Sequence, residues 1–480
     1  MSNVEPYPPA SQRQASSFRD PSGYVFSREG ALFRAIGGDC CQTLSRLKEN
    51  GLMGRLIGRG EVIPTEWVDP GSPLHSDLCR ENPGFDHFLK HERLSRLAFP
   101  YEWSYSMLAD AALLTLDLQL ELLGEGVALK DATAYNVQFR RGRPVFIDLG
   151  SFEKPRRLDI WFALGQFQRH FLFPLLLTRY RGWNLQSYFL ANLDGLPIAQ
   201  VAEAFPGPSR WRPGLLLDLT LPLLMERKTA RSGESGPQWE DASRQGSGKS
   251  EGQALNLRRL QRKIAGLKKT YRTGSVWHDY TSTCTYDETT TGEKKRLIGH
   301  FLAEKRPATV LDLGCNTGDY SYLAAASGAE VIAADGDDGA IEILYRRLQE
   351  TPAAILPMIV NLANPSPAIG YMNRERESFL ARSRSECLFA LALIHHLLVS
   401  ANFPLPAIRD LFASLASRYL VLEFVPLEDV QFQRLLRFRE NLFSDLTLEG
   451  CLEVFSTHFT LLEKRPILDS GRTLLFFEKR

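Results

Sequence analysis

Two short stretches of the chain combine residue types able to do chemistry, and both are built on Asp-Leu-Gly. In "VLDLGCNTGDYS", residues 310–321, Asp312 ends an apolar run and is followed by Gly314, Asn316 and Gly318. Glycine at such a turn lets the backbone take positive φ and approach a ligand closely. Asn316 stands where nucleotide-binding turns often carry another glycine, and asparagine tolerates the left-handed region. About twenty residues on, "VIAADGD" ends a second apolar run in Asp335, a carboxylate able to accept both hydroxyl hydrogens of a ribose. The other stretch, "VFIDLGSFEK", residues 145–154, ends its run in Asp148 and follows Asp131 and Asn136 of "GVALKDATAYNVQF". The three shared letters have different neighbours, and the neighbours assign the chemistry.

These residues need elements to position them. From about residue 300, strands "ATVLDLGC", "EVIAADG", "AILPMIV", "CLFALALI" and "YLVLEFV" alternate with helices such as "DYSYLAAASG", "GAIEILYRRLQE" and "LPAIRDLFASLAS". "FTLLEKR" and "RTLLFFEKR" then close the pattern as an antiparallel pair. Such alternation predicts a doubly wound α/β domain with a mostly parallel seven-stranded sheet. An open parallel sheet binds ligands beyond the carboxyl ends of its strands, where Asp312, the glycine turn and Asp335 fall. A nucleoside-containing cofactor is the expectation.

Residues 276–480 resemble a class I S-adenosylmethionine-dependent methyltransferase, on "VLDLGCNTGDYS", "VIAADGD" and the order of the later strands. Gly-x-Gly-x-x-Gly is absent, which disfavours a dinucleotide-binding domain. The resemblance implies that Asp312 and the Gly314–Gly318 turn hold the methionine end of the cofactor and Asp335 its ribose. It places Asn361, in "MIVNLANPSP", where the family often has an acid reading the adenine amino group; an amide carbonyl can accept the same bond. Tyr280 and Tyr286 of "VWHDYTSTCTYDETTTGEKKR" are candidate lid aromatics. His395 and His396 of "FALALIHHLLVS" fall where the family presents substrate-facing residues, on an expected strand whose successive side chains face opposite ways. Glu423 of "VLEFVP" is a second candidate for contacting substrate. Methyl transfer depends mainly on positioning and exclusion of water, and a histidine base serves only an acceptor that begins protonated. Taken with "LALIHHL", these motifs are similar to a bacterial group that includes nodulation-associated methyltransferases, which favours a small-molecule or glycan-type acceptor.

Around the first kernel, Asp131, Asn136 and Asp148 follow a good helix, "LADAALLTLDLQLELLGEG", and flank a hairpin. Residues of about 100–154 resemble the C-lobe of kinase-like phosphotransferases. There the first Asp positions a hydroxyl, while the Asn and the second Asp hold magnesium on the phosphates of ATP. No glycine-rich loop or phosphate-pairing lysine is evident, and Thr133 stands where a basic residue is usual. An active phosphotransferase, a degenerate kinase-like fold serving binding, and an unrelated fold all remain open. For the whole chain the readings are a methyltransferase, a bifunctional or kinase-like phosphotransferase, and a non-catalytic cofactor-binding module.

The chain has 480 residues, more than one core usually organises. "ERKTARSGESGPQWEDASRQGSGKSEGQ" cannot offset its own ordering entropy and reads as a flexible linker, residues 226–254. It divides an N-terminal α+β domain, 1–225, from a basic amphipathic connecting helix, 255–275, and the methyltransferase-like domain. With 57 Lys plus Arg against 56 Asp plus Glu, no global field marks a nucleic-acid or membrane binder. Seven scattered cysteines without zinc spacing, and an N-terminus without an apolar core, favour a reduced, cytoplasmic compartment with no secretory signal. "DIWFALGQFQRHFLFPLLLTRY" is broken by polar residues before it reaches a membrane span and reads as a buried helix. Oligomeric state is open.

Overall fold

The structure, a computed structural model, describes residues 13–232, 250–272, 288–437, 443, 445–468 and 470–480. Its centre is a seven-stranded sheet: β9 (Thr309–Leu313), β10 (Glu330–Asp335), β11 (Ile355–Ile359), β12 (Ser385–Ala390), β13 (Ala416–Phe424), β14 (Phe459–Pro466) and β15 (Thr473–Lys479). The strand order is β11-β10-β9-β12-β13-β15-β14. The first five are parallel, and β15 inserts antiparallel between β13 and β14. Alternation along the strands fills two layers: Leu311, Leu313, Ile332 and Leu388 join one core, Val310, Val331, Ala333 and Phe389 the other. Both faces are covered, as a parallel sheet requires.

The N-terminal half opens with a four-stranded antiparallel sheet, β1 (Gly23–Arg28), β2 (Ala31–Ile36), β3 (Thr65–Trp67) and β4 (His87–His91), in the order β1-β2-β4-β3. The helix Tyr105–Gly124 follows, apolar nearly all round and buried accordingly. Next come the short pair β5 (Ala128–Leu129) and β8 (Phe152–Glu153), and between them the hairpin β6 (Val137–Arg140) and β7 (Arg143–Phe146). The greasy stretch after residue 160 is a helical run, Leu164–Arg181, with Phe167 to Leu177 largely buried. Among the described residues no helix is long and apolar enough to cross a membrane.

The two halves share one core. The helix Glu251–Thr270 buries Leu257, Leu260, Ile264 and Leu267 and packs along Tyr105–Gly124. Three of its basic residues serve internal pairs: Arg259 and Lys263 both hold Asp218, and Lys268 holds Asp110 at 2.6 Å. Buried polar ties also cross to the C-terminal half. The backbone N–H of Ser106 donates to Glu342 at 2.9 Å, Tyr345 Oη donates to Asp110 at 2.8 Å, and Arg382 pairs with the fully buried Glu102. A helix, Leu221–Ser232, extends past the expected domain end at 225, since Leu223 is buried against the core. Most of the expected linker, residues 233–249, lies outside the described residues.

Candidate functional site

β9 leaves the middle of the sheet and turns through Gly314 (φ +70°), Asn316 (φ 49°) and Gly318 (φ +86°) before the helix Asp319–Ala326. A Cβ on Gly318 would come within 2.5 Å of Leu344 Cδ1, so the turn needs glycine for space as well as for φ. Asp312, 1% exposed, accepts from Ser321 Oγ at 2.6 Å. Burial, which outweighs that bond and the nearby Lys294 ammonium, pushes its carboxyl up to about 6. At the end of β10, one oxygen of the half-buried Asp335 accepts the Asn316 N–H and the other the Asp337 N–H, each at 2.9 Å. Burial raises its carboxyl above the usual range, against the pull of those amides. Each oxygen keeps a second lone pair for a hydroxyl.

The residues of the turn fit a nucleoside carrying a charged tail. The backbone is bare at two glycines, and Asn316 Oδ1 is shut from solvent without a hydrogen-bond partner. Asn361, exposed beyond β11, accepts the Ala363 N–H on its own carbonyl at 3.0 Å. Tyr280 and Tyr286 lie outside the described residues.

The histidines correct the expected strand. β12 ends at Ala390, the chain reverses through Ala392 at φ 49°, and His395 and His396 sit on the short helix Ile394–Val399. Successive side chains there diverge by about 100° rather than facing opposite ways. His395 is fully buried, stacks on Phe432 with ring centroids 5.9 Å apart, and has both ring nitrogens unpartnered. Burial holds it well below the usual histidine range and takes the half-buried His396 down to about 4. Both are neutral at physiological pH.

Glu423, fully buried near the end of β13, accepts from Lys294 Nζ at 2.5 Å and Arg472 at 3.1 Å. Arg472 also donates to Asp429 at 2.7 Å, and Lys294 lies over the Tyr320 ring at 4.5 Å. Glu423 therefore anchors an ionic network under the site. Lys294 was missed in the sequence although a signal existed: it continues the buried stripe of Ile298, Phe301 and Leu302 at helical spacing. Arg472, in the turn before β15, has no such signal.

The N-terminal cluster does assemble. Asn136 Nδ2 donates to Asp148 at 3.3 Å, and Asp131 lies close enough to Asp148 that, after burial, the neighbouring charge raises its carboxyl. Two cations unforeseen in the sequence enter it. Arg34, from β2, pairs with Asp148 at 2.7 Å, and Lys130 with Asp20 at 2.7 Å. A Cβ on Gly150 would lie 2.3 Å from the Arg34 guanidinium. Among the described residues no group of three or more His, Cys, Asp and Glu is placed to hold a metal ion.

Comparison with known proteins covers the full length. The chain is 34% identical over 472 residues, 98% of itself and 97% of the relative, to nodulation protein NoeA of Rhizobium meliloti (strain 1021). It belongs to the NoeA nodulation-protein family. No family model matches it. Among solved structures, the N-methyltransferase NodS of Bradyrhizobium japonicum WM9 is 14% identical, spanning 40% of this chain and 98% of that one at a TM-score of 0.31. The bifunctional kinase-methyltransferase WbdD is 16% identical, with 42% and 41% covered at 0.29. At those scores the fold of this NoeA-family chain is read from its own sheet order.

Proposed function

We propose that this NoeA-family chain is an S-adenosylmethionine-dependent methyltransferase, with residues 276–480 as the catalytic unit. One arrangement carries the reading: a glycine turn leaving the central strand, its Asn316 N–H bonded to the acid ending the next strand. When bound, S-adenosylmethionine supplies an electrophilic methyl on a sulfonium. The turn and Asp312 hold the methionine end, and Asp335 orients the ribose through its free lone pairs. His396 stands on the acceptor side as a neutral side chain that positions the acceptor. At about 4 it is too weak a base to draw a proton from a hydroxyl, while His395 packs behind it against Phe432. Glu423 acts through Lys294 and Arg472, shaping the floor. The motifs similar to nodulation-associated methyltransferases support a small-molecule or glycan-type acceptor, and the scattered cysteines without zinc spacing support a cytoplasmic setting.

Isothermal titration of the full chain with S-adenosylhomocysteine tests the reading. Asp335→Ala removes one charged acceptor that also pins the turn and is expected to weaken binding about 100-fold. Unchanged affinity would refute it. Incubating labelled cofactor with fractionated cell extract then identifies the acceptor.

A second reading, phosphotransfer at Asp131, Asn136 and Asp148 with ATP and magnesium, draws support from the Asn136–Asp148 contact. Arg34 on Asp148 weighs against it, because a fixed guanidinium competes with the metal the carboxylate would hold. Under this reading ATP with magnesium raises the melting temperature, and Asp148→Ala abolishes the rise. No rise in the wild type would exclude it.

A further inference from the structure

The carboxyl edge of the sheet carries the candidate site in order. The histidines follow β12, the glycine turn follows β9, Asp335 ends β10, and β11 is outermost. Neighbouring strands lie about 4.8 Å apart. A nucleoside with its sulfonium end at the β9 turn and its ribose on Asp335 therefore runs its base outward, toward β11. There the methyltransferase-like half ends and the N-terminal half begins.

A cleft lies at that junction. Trp183, Tyr271, Arg272 and Asp338 wall a cavity of about 250 Å3. A second, smaller hollow of about 20 Å3 shares Trp183, Tyr271 and Asp338 with it and is lined also by Trp103, Gln186 and Ile359, the last residue of β11. Ile359 is the register partner of Asp335 on the neighbouring strand, and Asp338 opens the helix that follows Asp335, so the cleft lies one strand and three residues from the ribose acid. Tyr271 stacks face to face on Tyr105, centroids 3.8 Å apart, which fixes one wall. Trp183 is 42% exposed, leaving indole surface uncovered. Trp103 is fully buried yet its Nε1–H has no acceptor. Gln186 donates its Nε2 to the Trp103 carbonyl at 3.4 Å, which turns its Oε1 into the acceptor on offer.

We propose that the N-terminal half supplies the base-binding wall of the cofactor site, with Trp183 stacking on the adenine and Gln186 Oε1 accepting from its amino group. The inference rests on the methyltransferase reading of Asp335. It sets Gln186 beside Asn361 as an acceptor for the amino group; Asn361 Oδ1 takes the Ala363 N–H and keeps one further lone pair. It also explains why a methyltransferase-like sheet is tied to its neighbour by buried ion pairs: the second half is part of the site. An aromatic wall binds any base, since every base has a π face, whereas a fixed amide acceptor selects the one carrying an amino group.

The full chain is titrated with S-adenosylhomocysteine and with S-inosylhomocysteine, in which a carbonyl replaces the amino group. Trp183→Ala is expected to weaken both about 10-fold, with Trp183→Phe restoring most of the affinity. Gln186→Ala is expected to erase a preference for the adenine compound of about 10-fold in the wild type. Unliganded melting temperatures of the variants should match the wild type; losses of affinity that Trp183→Phe fails to restore would refute the stacking role. If Trp183→Ala and Gln186→Ala both bind like the wild type while Asp335→Ala does not, the inference falls and the methyltransferase reading stands. If the wild type binds neither compound, both fall.

Discussion

Asp312 and Asp148 end apolar strands in the same three letters and meet opposite fates. Asp312 is held by a neutral hydroxyl, and Asp335 beside it by backbone amides; neither has a cation in direct contact. Their charge is left for a ligand to use, and burial raises both carboxyls, outweighing the nearby Lys294 at Asp312 and the amides at Asp335. At Asp148 the guanidinium of Arg34 is already in place, and Gly150 is small because that guanidinium lies against it. The first arrangement is poised for a guest, while the second is closed on itself. The lesson is that a carboxylate's partners, rather than its motif, tell a binding site from a structural one.

The sharpest way to break this contrast lies between the two, at Glu423. It has the burial of Asp312 and the cationic partners of Asp148. Glu423→Ala removes the acid that Lys294 and Arg472 share, Arg472 keeping Asp429, and should cost about 3–5 kcal/mol in chemical denaturation. A loss below ~1 kcal/mol would mean that the network is solvated and does not stiffen the site floor.

Next in size is Arg34→Met, which keeps the aliphatic stem and deletes the charge. Asp148 is partly exposed, so the loss should be nearer ~2 kcal/mol than the full buried-pair value. In the double variant with Asp148→Asn most of that loss should vanish, as coupling within one pair requires. Additive losses would show that the pair is incidental and reopen the cluster as a ligand site.

Much of the C-terminal half is legible in the sequence because each signal is local. Near-continuous apolar runs alternating with helices give β9 to β13, the glycines mark the turn, and the spacing to Asp335 reflects one helix and one strand. Three things are not local. The helical setting of His395 and His396 depends on a reversal at Ala392, where alanine gives no hint of positive φ. Arg34 reaches Asp148 across more than a hundred residues, and only the tertiary fold brings them together. The cleft at Trp183 exists only where the halves meet, so neither half predicts it.

The smallest effect separates the two kernels by sign. Replacing Arg34 should destabilise, whereas Asp312→Asn should stabilise the unliganded protein by ~1 kcal/mol at pH 7.5, because the folded state no longer buries an ionised carboxylate. The linkage follows from the direction of the shift. A carboxyl raised from 3.8 to about 6 favours the folded state below its unfolded pKa, and that contribution is lost as pH rises through about 6. The buried histidines work oppositely: His396, lowered to about 4, withdraws stability as pH falls from about 6.5 toward 4. The useful measurement is therefore the difference in unfolding free energy between wild type and Asp312→Asn across pH 3.5–7.5, in which the histidine contribution cancels. That difference should grow in favour of the variant between about pH 4 and pH 6 and then level off, while S-adenosylhomocysteine binds the variant more weakly. A flat difference would mean that Asp312 is ionised at no cost, and the contrast with Asp148 would lose its physical basis.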